Sequence, residues 1–423
     1  MKKLFFFLII VSSSTVSAEA SSGDTAWILS SSALVLFMTL PGLALFYAGL
    51  VQSKNVLSVL AQNFGIACLM SVLWVVVGYS LAFSQGTSGI IGDMSKMFLN
   101  NIDSSSLVGT IPEILFVVFQ MTFCIITPAL IVGAYVERIK FSVVLIFSSI
   151  WLLAVYCPIA YWVWGGGFLA QMGVKDFAGG IVVHTTAGVA ALVIAMVLGP
   201  RIAFKRNVVS PPHSPVITMI GACMLWVGWF GFNGGSALAA DSTASMAVLV
   251  THIAASLGAL SWMVIEWIRF GKPSLVGMVT GMVAGLGTIT PASGFVGIEG
   301  GIILGTLGGV LCYFAVDLIR LKLKIDDSLD VFAVHGVGGM LGTILCAWLM
   351  SSEKGGVGFD EGLGLLDHLK IQSYSVFVAV IWTAVVSYII LRVIGIFLSL
   401  RVGDEDETNG LDTSLHGETG YNK

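Results

Sequence analysis

From residue 27 onward the chain alternates long apolar runs with short polar breaks. Eleven runs are long enough to cross a bilayer: 27–52, 56–83, 113–136, 142–163, 179–199, 216–239, 244–269, 274–291, 299–320, 331–352 and 374–400. The runs are continuous rather than alternating, which predicts helices and not barrel strands. Glycine is abundant, at 50 residues; in a membrane bundle this suits close helix contacts and kinks. The expected fold is an all-α integral membrane protein of eleven transmembrane helices.

Residues 1–20 read as a cleavable signal peptide. Lys2 and Lys3 precede a short apolar core over 4–11, and Ala18-Glu19-Ala20 offers a small-x-small cleavage site. That core falls far short of the roughly 20 residues needed to span a bilayer. A membrane domain over 21–402 and a tail over 403–423 follow. If residue 21 starts outside, the inner loops and tail hold Lys54, Arg138, Lys140, Arg201, Lys205, Arg206, Arg269, Lys272, Arg320, Lys322, Lys324, Arg401 and Lys423. The outer loops hold Lys96, Lys175, Lys354 and Lys370. This asymmetry predicts a multi-pass protein of the cell (inner) membrane, with its N-terminus outside and its C-terminus in the cytoplasm.

Composition narrows the function. The chain is 57% hydrophobic and 10% charged, against about 25% charged in soluble domains, which argues against a cytoplasmic enzyme. The tail from Arg401 carries two basic and six acidic residues, which is the whole formal net charge of −4. The body is therefore balanced, and no basic nucleic-acid surface is indicated. Six cysteines lie inside apolar runs without a CxxC pair, so they read as packing residues rather than disulfides or a metal site.

An internal repeat is visible. Ile126-Thr127-Pro128-Ala129 recurs as Ile289-Thr290-Pro291-Ala292, and each copy is followed by a Val-His: Val183-His184 and Val334-His335. The first copy lies on spans three and five, the second on spans eight and ten. A shift of five spans is odd, so the first ten helices read as two inverted five-helix repeats, with a site near the midplane between them.

His184 and His335 hold equivalent places in the two halves, and intramembrane ionisable residues point to function. Two neutral imidazoles can share one hydrogen bond and still offer one N–H and one lone pair to a guest. That suits a small amphoteric molecule or a proton relay better than a metal cation. Asp176 sits at the outer mouth of span five, whereas Glu137, Glu266 and Asp317 sit near inner ends. His252 on span seven has no counterpart and reads as packing. Trp164, Phe123, Phe232 and Ser236 cluster toward the outer half. Trp162 reads as ordinary aromatic belt and core, while Trp164, Phe232 and Ser236 suit a vestibule, because a ring face attracts a small cation by about 0.5–2 kcal/mol.

These residues carry a family resemblance. Asp176-Phe177-Ala178-Gly179-Gly180-Ile181-Val182-Val183-His184 resembles the signature of the Amt/Mep/Rh ammonium transporters. So do Phe119-Gln120-Met121-Thr122-Phe123, Gly231-Phe232-Asn233, Lys272-Pro273-Ser274 and Val334-His335-Gly336. The tail's Leu411-Asp412, His416-Gly417-Glu418 and Tyr421 resemble the bacterial Amt branch. The resemblance implies a non-enzymatic ammonium transporter without cofactor or metal, assembled as a homotrimer with one pore per subunit. It implies ammonium recruitment by Trp164, Ser236 and Phe123, a gate of Phe123 and Phe232, and twin pore histidines His184 and His335. Ile126, Leu130 and Val331 would wall the pore, and Asp176 would be structural or tuning. A PII-type nitrogen-signalling protein would dock at the cytoplasmic tail. His252 is not part of the family pattern.

Splitting ammonium into ammonia and a proton avoids carrying a bare cation through an apolar wall. Potassium is similar in size but has no proton to shed, so the same wall rejects it. A neutral-gas channel would have the same lining. Two other readings stand beside transport: an ammonium sensor on the same fold, which a fused signalling domain would favour, and a membrane cytochrome with His184 and His335 as axial haem ligands.

Overall fold

The computed structural model describes residues 19–86, 89–208 and 210–421. The leader read over 1–20 lies outside these residues except for Glu19 and Ala20. Among the described residues, ten helices are long and apolar enough to span: Ser22–Leu50, Ser53–Phe83, Glu113–Tyr135, Phe141–Gln171, Gly180–Leu198, Pro215–Gly234, Ser242–Phe270, Ile298–Lys322, Phe332–Leu349 and Leu365–Phe397. A shorter apolar helix, Leu275–Ile289, takes the eighth place. Spans three and five are the most buried, and spans seven and eleven the least. A two-residue antiparallel ribbon, Leu107–Val108 with Ile111–Pro112, sits in the loop before span three. The hydropathy pattern does not predict it.

Several ends differ from the sequence reading; span eleven starts at Leu365 rather than 374. Span eight stops at Ile289 rather than 291. Thr290 keeps helical backbone (φ −49°, ψ −50°), but Pro291 has no N–H to continue the helical ladder, and the chain continues as turns through Ala292 N–H to Ile289 O (2.9 Å) and Phe295 N–H to Ala292 O (2.8 Å). Pro128, in the first copy of the motif, stays inside its helix. Span six runs continuously through Gly234, where its last turn is π-wound over Phe230–Gly234. Ser236 lies in the turn beyond, so the small residues end the helix rather than break it.

The repeat shows itself in reciprocal contacts. His184 and His335 are 151 positions apart, as are Gly188 and Gly339, and Thr185 and Gly336. A Cβ on Gly188 would stand 2.3 Å from Gly336 Cα. A Cβ on Gly339 would stand 2.8 Å from His184 Cβ and 3.1 Å from Thr185 N. Each half thus presents the same glycine to the same point of the other, and spans five and ten cross where both lack side chains. Small residues allow this backbone approach.

The tail folds against the start of span two as two short helices, Asp404–Asn409 and Leu411–His416. Asp412 Oδ1 accepts from Ser58 N–H (2.8 Å), and Leu411 N–H donates to Asn55 Oδ1 (2.8 Å). Glu407 accepts from Ile202 N–H (2.6 Å) and pairs with Arg401 (2.5 Å). Two of the tail's acidic residues therefore cap orphan helix N–H groups and are buried. Of the cysteines, four are buried, Cys68 and Cys223 are exposed, and all six are free.

Candidate functional site

His184 and His335 meet at the span five–span ten crossing. Their Nδ1 atoms are 3.2 Å apart, and their rings are nearly parallel, at 15°. Both are buried. One ring nitrogen must donate and the other accept. Each ring sits on a π-wound turn, Gly180–Thr185 or Phe332–Gly336. Such turns widen a helix locally and cluster at functional sites. The 3.2 Å separation leaves no room for a metal between the rings, since two metal–nitrogen bonds need about 4 Å. The haem reading is therefore set aside.

Above the pair stand the aromatic residues. Phe123 and Phe232 are buried, with ring centroids 4.3 Å apart. Phe123 meets the half-buried Trp164 edge-on, at 5.9 Å and 87°. Phe232 reaches down to His184 at 6.1 Å. Ser236, one turn after Phe232, donates its hydroxyl to Phe232 O (2.8 Å). Trp164, Phe123, Phe232 and His184 thus form one descending column, with Ser236 beside its upper part. Ile126, Leu130 and Val331 are buried. Val331 and Gly133 face each other so closely that a Cβ on Gly133 would stand 2.6 Å from Val331 Cγ2. Trp162 is buried and donates to Ile90 O (2.6 Å), so it anchors a loop rather than forming a belt. His252 is outward-facing on span seven, with its ring 5.1 Å from that of Trp226.

Asp176 holds the start of span five. Its Oδ1 accepts from Gly179 N–H (3.0 Å) and Gly180 N–H (2.6 Å), and its Oδ2 from Ile181 N–H (2.8 Å) and Val182 N–H (3.1 Å). These are the orphan N–H groups of a helix start. Burial pushes the Asp176 carboxyl above its usual range, against the pull of the four donors. Trp164 donates its indole N–H to Asp176 O (2.8 Å), which ties the vestibule to this cap.

Two residues escaped the sequence reading. Trp229 lies against the face of His184, at 5.4 Å and 19°, and donates to Thr290 Oγ1 (2.8 Å). It lies three positions before Phe232, a spacing that puts both on one helix face. Asp327 is the other; its signal is the spacing Asp-x7-His, present at 176–184 and again at 327–335.

Below the pair, His335 lines a cavity of about 410 Å³ together with Tyr47, Arg201, Arg320, Ser328 and Asp330. Arg201 bridges Glu137 and Asp326, at 2.8 Å to each. Asp326 is largely buried, yet Arg201 and Arg138 hold its carboxyl below the usual range. His184 Nε2 is buried without a protein partner. The pair thus presents one unpartnered nitrogen, on His184, and a second ring, His335, bordering the cavity.

The Ammonium Transporter Family model matches residues 26–421. An ammonium transporter of Aquifex aeolicus is 45% identical over 408 residues, covering 96% of this chain and 95% of its own length. The crystal structure of Saccharomyces cerevisiae Mep2 superposes with a TM-score of 0.82 at 37% identity, covering 91% of each chain. A structure described as a sensor Amt protein gives a TM-score of 0.87 at 28% identity, covering 93% of this chain and 98% of that one. With the twin histidines, the reciprocal repeat and the family match in agreement, the chain belongs to the ammonium transporter family.

Proposed function

We propose that this chain transports ammonium by capturing it at an outer aromatic vestibule, removing a proton, and passing ammonia and the proton inward past His184 and His335. The observation that carries the reading is the 3.2 Å contact between two buried imidazoles beside the buried apolar residues Ile126, Leu130 and Val331. Trp164, Phe123 and Ser236 recruit the cation. Phe123 and Phe232 gate the entrance. Ammonia crosses the apolar wall, and the hydrogen-bonded rings hand the proton toward the inner cavity. Current and uptake in proteoliposomes given ammonium and then potassium test this: ammonium carries current and potassium does not. Equal conduction of both ions, or of neither, sinks it. A protein that only senses ammonium gives no flux.

The vestibule has its own test. A cation–π contact of about 0.5–2 kcal/mol, at about 1.4 kcal/mol per tenfold, converts to roughly 2- to 30-fold in affinity. Trp164→Leu therefore raises the half-saturating ammonium concentration within that range while leaving substantial maximal flux. It also relaxes exclusion of methylammonium, because the indole narrows the mouth. Trp164→Phe keeps a ring without the hydrogen bond to Asp176 and separates the two contributions. Unchanged half-saturation for both substrates in Trp164→Leu reduces the indole to packing.

We also read the protein as a homotrimer with an external N-terminus and a cytoplasmic tail that receives a PII-type partner. The loop asymmetry of Lys and Arg supports the orientation, and the tail's likeness to the bacterial branch supports the partner. Deleting residues 403–423 leaves the trimer assembled, seen as native mass in detergent, and abolishes co-purification with a PII-type protein. Retained binding by the shortened chain removes the tail from this role.

A further inference from the structure

Asp176 has a counterpart that the mechanism above leaves unused. Asp327 precedes His335 by eight residues, as Asp176 precedes His184, and the two aspartates share the 151-position separation of the histidines. Asp327 Oδ2 accepts from Phe332 N–H (2.7 Å), the first residue of the π-wound turn Phe332–Gly336 that carries His335. Asp327 is fully buried, and its Oδ1 has no hydrogen-bond partner. At the other end of the repeat, both oxygens of Asp176 are fully used. The clasp on span ten therefore makes fewer bonds, to N–H groups at the start of the span, with Phe332 three residues before the histidine it supports.

The surrounding loop is itself held from outside. Arg138, fully buried, donates to Asp326 O (2.7 Å) and Ser328 Oγ (2.6 Å). Leu329 N–H donates to Gly133 O (2.9 Å). Asp330 takes a left-handed φ of +60°, its N–H donates to Asp327 O (3.2 Å), and its own O accepts from Val334 N–H (2.9 Å). Asp is one of the few side chains that tolerate this backbone region. Such strain persists where its surroundings over-determine it. The loop thus presents Asp327 to the start of span ten on a fixed frame.

We infer that Asp327 is a positioning residue for transport: by clasping Phe332 N–H it fixes the turn that carries His335 and so holds that ring in register with His184. The inference rests on the twin-histidine reading. Burial and the neighbouring Asp330 push the Asp327 carboxyl up to about 7, which agrees with a carboxyl placed for its backbone contact rather than for solvation.

The test uses the full chain in proteoliposomes, with flux normalised to assembled protein. Loss of a capping acceptor predicts that Asp327→Ala lowers maximal ammonium flux by about 3- to 30-fold. The half-saturating concentration stays fixed, because it is set in the outer vestibule. Asp327→Asn keeps a carbonyl oxygen for Phe332 N–H and restores most of the flux. Wild-type flux in Asp327→Ala overturns the inference, as does an equal loss in Ala and Asn accompanied by a shifted half-saturation. Should the alanine chain not assemble, Asp327→Ser carries the comparison: flux below that of Asn at unchanged half-saturation supports the role, and flux equal to wild type overturns it. His335→Ala is measured in parallel. If it loses current while Asp327→Ala does not, the inference falls alone; if it keeps full current, the relay falls and takes the inference with it.

Discussion

His335→Ala abolishes ammonium-driven current. The substitution removes one of two rings joined by a 3.2 Å contact, so the proton loses its inner carrier and ammonium must cross the apolar wall as a cation or not at all. A charge at mid-bilayer costs about 2.5–3.5 kcal/mol on insertion scales, equivalent to roughly 60- to 300-fold in rate at about 1.4 kcal/mol per tenfold. Current should fall by about that factor. His184→Ala has the same effect from the other half, and in addition exposes the face of Trp229, which lies 5.4 Å from His184. A variant that now conducts potassium supports the selectivity argument, since water in the vacated space removes the penalty on the bare ion. Full current with full potassium rejection in either single variant means that the pair does not relay protons. Electrical recording on supported membranes, with ammonium and potassium applied in turn, separates these outcomes.

Asp176→Ala is the second large effect, and it is one of stability. Four N–H groups at the start of span five lose their acceptor at once, in a place where the side chain is buried. An unsatisfied buried donor costs about 1–3 kcal/mol, so the loss reaches about 4 kcal/mol or more even at the low end of that range. The purified variant should unfold at a clearly lower temperature in detergent, or not assemble. Asp176→Asn retains one acceptor oxygen and falls between the two. Because Trp164 donates to Asp176 O, flux in the surviving asparagine variant should also show weakened capture. An alanine variant with wild-type melting temperature and flux rules out the four-bond cap as a support of span five.

The eleven spans, the inverted repeat and the twin histidines were legible because each is a matter of chain order: long apolar runs, a recurring four-residue motif and a recurring Val-His. Trp164, Phe123, Phe232 and Ser236 were singled out by local clustering and family likeness; the structure stacks the three rings above His184 and bonds Ser236 to Phe232 O. Asp327 was passed over for a physical reason. The run Asp326-Asp327-Ser328-Leu329-Asp330 has the composition of a solvated acidic turn. Its burial depends on Arg138 and Arg201, which lie 188 and 125 positions from Asp326. The π-wound turns were invisible because hydropathy does not distinguish i+4 from i+5 bonding. The tail's acidity entered the sequence reading only as net charge, although Glu407 and Asp412 bind backbone N–H groups of distant helices.

That cap on span two sets an order of events during synthesis. Ser58 N–H and the Asp412 carboxylate that receives it are 354 residues apart. At about 5–20 residues per second, translation needs about 18–70 s to make the second partner after the first. Through that interval the Ser58 N–H lacks its native acceptor. The tail segment that carries Asp412 is made after all eleven spans, so the cap on span two forms late in folding.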